Sequence, residues 1–163
     1  MKKRIAVIGH DGEVPPDVEA MAEQIGQEIA RHDCILICGG RSGIMEAACR
    51  GARKAGGRTV GILPTLDGHD ANRFVDIGIT TGMGYARNSL VVSSADAVIA
   101  IHGSTGTLSE IGMALNYDRP VVVVEGSGGV ADSIKEAFPE DPMIRKIVKA
   151  KADRAVEKAL KMM

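Results

Sequence analysis

Three features of the sequence predict an α/β fold, a three-layer sandwich with a mainly parallel sheet of about seven strands. Strand-like and helix-like periods alternate from one end to the other. The strand-like runs are short and apolar on both faces, the pattern of strands covered by helices above and below. Many of the 20 glycines fall where those runs stop, as tight strand-to-helix turns require.

The elements follow in order. Ile5–Gly9 is the first strand. Asp17–His32 carries Val18, Met21, Ala22, Ile25 and Ile29 on one helical face. Pro15 and Pro16 open that helix with a fixed φ, and Asp17 suits its positive end. Cys34–Cys38 is a second strand and Gly43–Ala55 a second helix, ended by Gly56 and Gly57. Thr59–Leu63 is a strand stopped by Pro64, and the polar Thr65–Arg73 is a loop. Val75–Thr80 reads as a strand, Tyr85–Ser94 as a helix, Ala97–Ile101 as a strand and Leu108–Tyr117 as a helix. Val121–Glu125 is a strand stopped by a Gly-Ser-Gly-Gly run, and Val130–Phe138 a short helix. Lys146–Ala150 is the expected last edge strand, and Asp153 the expected cap of a final helix with Val156, Ala159, Leu160 and Met163 on its apolar stripe.

Composition narrows the functional classes. A chain of 163 residues fits one domain, here 1–163. Its net charge of −1 lacks a nucleic-acid footprint, and four aromatics are too few for stacking platforms. No apolar run is long enough for a membrane span, and the first is too short for a secretory signal, so a cytoplasmic protein is expected. Cys34, Cys38 and Cys49 read as reduced thiols filling the core. Cys34 and Cys38 share a strand face, which also suits a metal pair. The basic residues after Met143 read as a solvated helix face.

Ligands in such sheets bind beyond the carboxyl ends of the strands. Two glycine-rich turns there lead into helices. One contains Gly39, Gly40, Ser42, Gly43 and Met45; the other is Gly103-Ser104-Thr105-Gly106-Thr107. Each has the build of an anion cradle, with free N–H groups, hydroxyls and a helix start, so a phosphorylated small molecule is the expected ligand. Neither turn matches the dinucleotide or P-loop fingerprint. Thr107-Leu-Ser-Glu110 has the spacing of a capping box. Glu110 is equally a carboxylate beside a phosphate cradle, placed to act on a sugar. Arg87 begins a helix, where a cation opposes the dipole, which points to an anionic partner such as a phosphate or Glu110. His10, Met83, Asn88 and His102 are candidates for base or sugar contacts, with helix packing and boundary hydrogen bonding as the alternatives.

These motifs together resemble the LONELY GUY-like proteins, long labelled lysine decarboxylases. The resemblance rests on Gly39-Gly40-x-x-Gly43-Ile-Met45, the run from Gly51 to Pro64, the Arg87 segment and Gly103-Ser-Thr-Gly106-Thr107-Leu-Ser-Glu110. It covers nearly the whole chain. It implies a Rossmann-like fold, a homodimer or homotetramer, and hydrolysis of the N-glycosidic bond of a nucleoside 5′-monophosphate without metal or cofactor. Arg87 and Glu110 fall on the family's catalytic positions. His102 replaces the usual Pro, Ser104 the second Gly, and Asn88 the Lys that follows Arg. In this respect the chain is similar to a short subgroup that includes molybdenum-cofactor carriers, which bind a phosphorylated pterin without glycosidic chemistry. A pyridoxal decarboxylase is excluded by the lack of a lysine in either cradle. Met83, Tyr85, Leu90 and Val91 are the expected residues of a self-complementary contact.

Overall fold

The computed structural model describes residues 1–163. Seven strands form one sheet: β1 (Arg4–Gly9), β2 (Ile35–Cys38), β3 (Arg58–Leu63), β4 (Ile77–Thr80), β5 (Ala97–Ile101), β6 (Val121–Val124) and β7 (Val148–Ala150). Their order is β4-β3-β2-β1-β5-β6-β7, and all six pairings are parallel. The helices are α1 (Pro16–Arg31), α2 (Ile44–Lys54), α3 (Asn88–Ser93), α4 (Thr105–Asn116), α5 (Gly129–Ala137) and α6 (Ala152–Met162).

The period of two along β1 divides the core. Ile5 and Val7 pack with Ile25, Ile29, Ala48 and Val156 under α1, α2 and α6. Ala6 and Ile8 pack with Val91, Ile111 and Ile134 under α3, α4 and α5. Each fully buried aliphatic side chain contributes roughly 1.5–3 kcal/mol. Helices α1 and α2 cross at backbone contact. A Cβ on Gly26 would lie 1.9 Å from the carbonyl oxygen of Ala48, and one on Gly51 1.9 Å from that of Glu23. Arg50 of α2 spans the same crossing to Glu19 and Glu23, each at 2.7 Å.

Several boundaries differ from the sequence expectation. The stretch read as one helix over Tyr85–Ser94 opens with a 3₁₀ turn, Gly84–Arg87, before α3. Gly84, at φ +56, is the first residue of that turn. A 3₁₀ turn, Gly68–Asp70, lies within the expected loop, and another, Ile144–Lys146, takes the start of the expected last strand. Lys151, in extended conformation, is the N-cap residue of α6, so Asp153 sits in its first turn rather than at the cap. Strand β4 is exposed along its whole length, because it pairs on one edge only and no helix covers it. Val91 belongs to the core, which removes it from any contact with a second copy.

The topology fixes where a ligand can sit. The chain leaves β4 at one edge and returns beside β1 as β5, so the winding reverses between β1 and β5. The carboxyl ends of those two strands therefore diverge into a crevice.

Candidate functional site

That crevice is a cavity of about 540 Å³. The end of β1 supplies Gly9, His10 and Asp11; the turn after β2 supplies Gly39 and Met45. The 3₁₀ turn and α3 supply Tyr85, Arg87 and Asn88, and the start of α4 supplies Ser104, Thr105, Gly106, Thr107, Ser109 and Glu110. The sequence-predicted Gly40, Ser42, Gly43, Met83, His102 and Gly103 do not line it.

The two glycine-rich turns look alike in sequence but differ in where their donors go. In the first, Gly40 N–H donates to Cys38 Sγ at 3.3 Å and Ser42 N–H to Asp11 Oδ1 at 3.1 Å. The Ser42 hydroxyl donates to the same oxygen at 2.6 Å, and Ile44 N–H to the carbonyl of His10 at 3.1 Å. These donors are engaged within the protein, and of this turn only Gly39 and Met45 reach the crevice. Its glycines serve packing: a Cβ on Gly43, at φ +63, would lie 2.4 Å from the carbonyl oxygen of Gly12.

The second turn is open. Gly103, at φ +90, carries the chain out of β5, and a Cβ there would strike the Thr107 side chain. Ser104 is extended and makes no side-chain cap bond. The first N–H groups of α4 therefore have no intrahelical partner, and nothing lies within 4 Å of the Cβ position of Gly106. Helix α4 starts at Thr105, two residues before Thr107. Thr107 thus lies in the first turn and Glu110 in the second, and the capping box does not form. Released from that role, Glu110 faces the crevice.

Arg87 and Glu110 are both buried, at 9% and 6% exposure. Arg87 Nη2 donates to the carbonyl of Gly39 at 3.3 Å, and Nη1 to Asn88 Oδ1. A Cβ at position 39 would lie 2.5 Å from Nη2, so glycine alone lets the guanidinium lie there. Nε has no partner. Glu110 Oε1 stands 4.0 Å from Arg87 Nη1. Burial pushes the Glu110 carboxyl up to about 7, against the pull of Arg87. Burial also lowers the Arg87 pKa, and Glu110 opposes it. The crevice floor therefore holds a cation with a spare donor and a carboxyl that titrates near neutrality.

Of the remaining candidates, Met83 is half-exposed. His102 has φ +57, a conformation closed to proline, and its ring meets that of His10 edge-on with centroids 5.8 Å apart. No group of three or more His, Cys, Asp or Glu is placed to hold a metal ion. Asp11, which stands beside His10 at the end of the first strand in the sequence, ties the turn after β1 to that after β2 and lines the crevice, as does Ser109 within the second glycine-rich motif. Ser109 follows from Glu110 only once the start of α4 is known.

A cytokinin riboside 5′-monophosphate phosphoribohydrolase of Mycobacterium tuberculosis is 31% identical over 121 residues, spanning 66% of this chain and 63% of that enzyme. The chain thus spans less than two thirds of that relative's length. The molybdenum cofactor binding protein of Rippkaea orientalis superposes with a TM-score of 0.89 at 36% identity, covering 99% of this chain and 96% of that one. The molybdenum cofactor carrier protein of Chlamydomonas reinhardtii superposes with a TM-score of 0.85 at 32% identity, covering 99% and 98%. No helix is long and apolar enough to cross a membrane. The model of the SLOG cluster4 family matches residues 2–156, and the chain belongs to that family.

Proposed function

We propose that the crevice binds a nucleoside 5′-monophosphate and hydrolyses its N-glycosidic bond to free base and ribose 5-phosphate. The observation that carries this reading is the Glu110 carboxyl, buried beside Arg87, titrating near 7 and facing the cavity. Such a group is matched to acid–base work at neutral pH. The open first turn of α4 holds the 5′-phosphate through backbone N–H groups and the hydroxyls of Ser104, Thr105 and Thr107. Arg87 supplies the positive charge. With the phosphate fixed there, the ribose lies over Glu110. The ionised carboxylate takes a proton from water as the water oxygen bonds to the anomeric carbon, and it stabilises the oxocarbenium-like charge there. The C–N bond breaks with its electron pair going to the base nitrogen, and the proton Glu110 took from water passes to the base, which restores the carboxylate. His10 and Tyr85 flank the space left for the base.

The test is incubation with AMP, GMP, CMP and UMP, with chromatography for free base. Release from at least one nucleotide is expected, and its loss on the order of 100-fold in Glu110→Gln. No release from any nucleotide refutes hydrolysis.

A second reading, a carrier of a phosphorylated pterin, is supported by the full-length likeness to molybdenum cofactor binding and carrier proteins. It keeps the phosphate site and drops the chemistry. It predicts saturable binding of a phosphorylated pterin by calorimetry with the ligand recovered intact, and Glu110→Gln altering affinity alone. We also propose self-association through the exposed Met83 and Tyr85.

A further inference from the structure

The reaction described above makes no use of two buried thiols that stand directly behind the crevice wall. Cys38, the last residue of β2, and Cys49, in the middle of α2, are both fully buried, and their Sγ atoms lie 3.5 Å apart. Cys38 also accepts the Gly40 N–H at 3.3 Å. It directly precedes Gly39, whose carbonyl holds Arg87. Cys34 bonds the carbonyl of His32 instead and is not part of the pair.

We propose that Cys38 and Cys49 form a redox-active dithiol, which a small hydroperoxide closes to a disulfide that shifts the Gly39–Gly40 turn against Arg87. The disulfide stands on the sulfur geometry alone; its effect on ligand binding rests on the reading of the crevice given above.

The two sulfurs are not equivalent. The hydrogen bond from Cys49 lowers the Cys38 thiol pKa, and Gly40 N–H and Arg87 act in the same direction against burial. That bond and burial raise the Cys49 thiol. Cys38 is therefore the nucleophile. Its thiolate attacks a peroxide oxygen: an S–O bond forms, the O–O bond breaks, and the departing oxygen leaves as water with the Cys38 proton. Cys49 then attacks the sulfenic sulfur. The S–S bond forms, the S–O bond breaks, and hydroxide leaves as water with the Cys49 proton. Two thiols lose two electrons, and one hydrogen peroxide becomes two waters.

Bonding brings the sulfurs from 3.5 Å to about 2.0 Å. Cys49 is held inside a packed helix, whereas Cys38 ends a strand at a turn, so the displacement falls on the Cys38 side. Gly39 transmits it, since even a Cβ there would overlap the guanidinium.

The experiment treats the reduced protein with one equivalent of hydrogen peroxide, then unfolds, alkylates and maps the peptides. The expected result is a Cys38–Cys49 cross-link with Cys34 alkylated, reversed by dithiothreitol and absent in Cys49→Ala. Heteronuclear NMR of the same samples should show the Gly39 and Gly40 amides and Arg87 Nε shifting on oxidation and returning on reduction. Affinity for AMP should fall on the order of tenfold, or about 1.4 kcal/mol, in the oxidised protein. Three alkylated thiols after peroxide overturn the proposal. So does a cross-link that leaves the Gly39 and Arg87 signals in place. If the reduced protein binds no AMP, the reading of the crevice fails, while the cross-link and the NMR shifts still decide the dithiol.

Discussion

Replacing Glu110 by Gln tests the electrostatics of the crevice without any ligand. The carboxyl titrates near 7 in the folded chain, against a reference value of 4.5. Its folded pKa is raised, so between those values the native state binds more protons than the unfolded one. Stability is full below about pH 4.5 and falls as pH rises through about 7. A gap of about 2.5 pKa units at 1.36 kcal/mol each amounts to ~3 kcal/mol by pH 8. The residue is 6% exposed, so solvent screening takes little from this figure. Glutamine imitates the protonated carboxyl at every pH. Glu110→Gln should therefore match the parent near pH 4 and exceed its stability by ~3 kcal/mol near pH 8, a Tm difference of roughly 6–12 °C for a chain of this size. Denaturant titration at a series of pH values reads the difference directly. A constant gap between the two proteins from pH 4 to 8 would refute the assignment of a neutral-range carboxyl to Glu110.

The remaining expectations concern glycines, pH and assembly. Gly106→Val should alter stability by less than about 1 kcal/mol, because its Cβ position is open, while weakening nucleotide binding at least tenfold by filling the space before the α4 amides; calorimetry and thermal melts taken together decide this, and an equal loss in both contradicts it. Gly43→Ala should cost about 2 kcal/mol or more, since φ is +63 and the new methyl would meet the Gly12 carbonyl; a melt within error of the parent contradicts it. Turnover should rise with pH toward a plateau above about 7 as the Glu110 carboxylate forms, and a rate that falls across that range would reverse the role given to it. Sedimentation should show at least a dimer, reduced to monomer by Tyr85→Asp; a parent protein that is monomeric at micromolar concentration excludes the contact.

The inner strands β1, β2, β3, β5 and β6 are legible because each is a short apolar run with turn residues at its ends, and a strand covered on both faces needs no partner to be recognised. Boundaries that depend on a single dihedral are not. Thr107 and Glu110 have capping-box spacing, but the helix begins once Gly103 takes φ +90 and Ser104 is extended, three residues before the expected Leu108. Glycine advertises that such a conformation is accessible without saying that it is taken. The two cradles illustrate a second limit. Their compositions predict the same anion site, yet Ser42 is satisfied by Asp11, 31 residues away. Long-range hydrogen bonding decides which donors of a glycine turn are already engaged, and no local pattern records it. Arg87 and Glu110 were identifiable as charges at odds with their local surroundings, one at the positive end of a helix and the other beside a phosphate cradle. Their 4.0 Å separation comes from packing α3, which Arg87 directly precedes, against α4, which the sequence does not display.

The partners of Arg87 bear on the choice between hydrolysis and carriage. Its two hydrogen-bond acceptors, the Gly39 carbonyl and Asn88 Oδ1, are both neutral. They orient the guanidinium without cancelling its charge, which leaves that charge for a phosphate and for Glu110. A lysine at position 88 would instead add a second cation beside Arg87 and draw the Glu110 pKa downward. Burial is the dominant influence on Glu110, and one cation stands at the limit of ion-pair distance. That arrangement raises the basicity of the carboxylate and costs folding stability at neutral pH. The cost is explicable where the proton is used, and the proposed hydrolysis rests on that use.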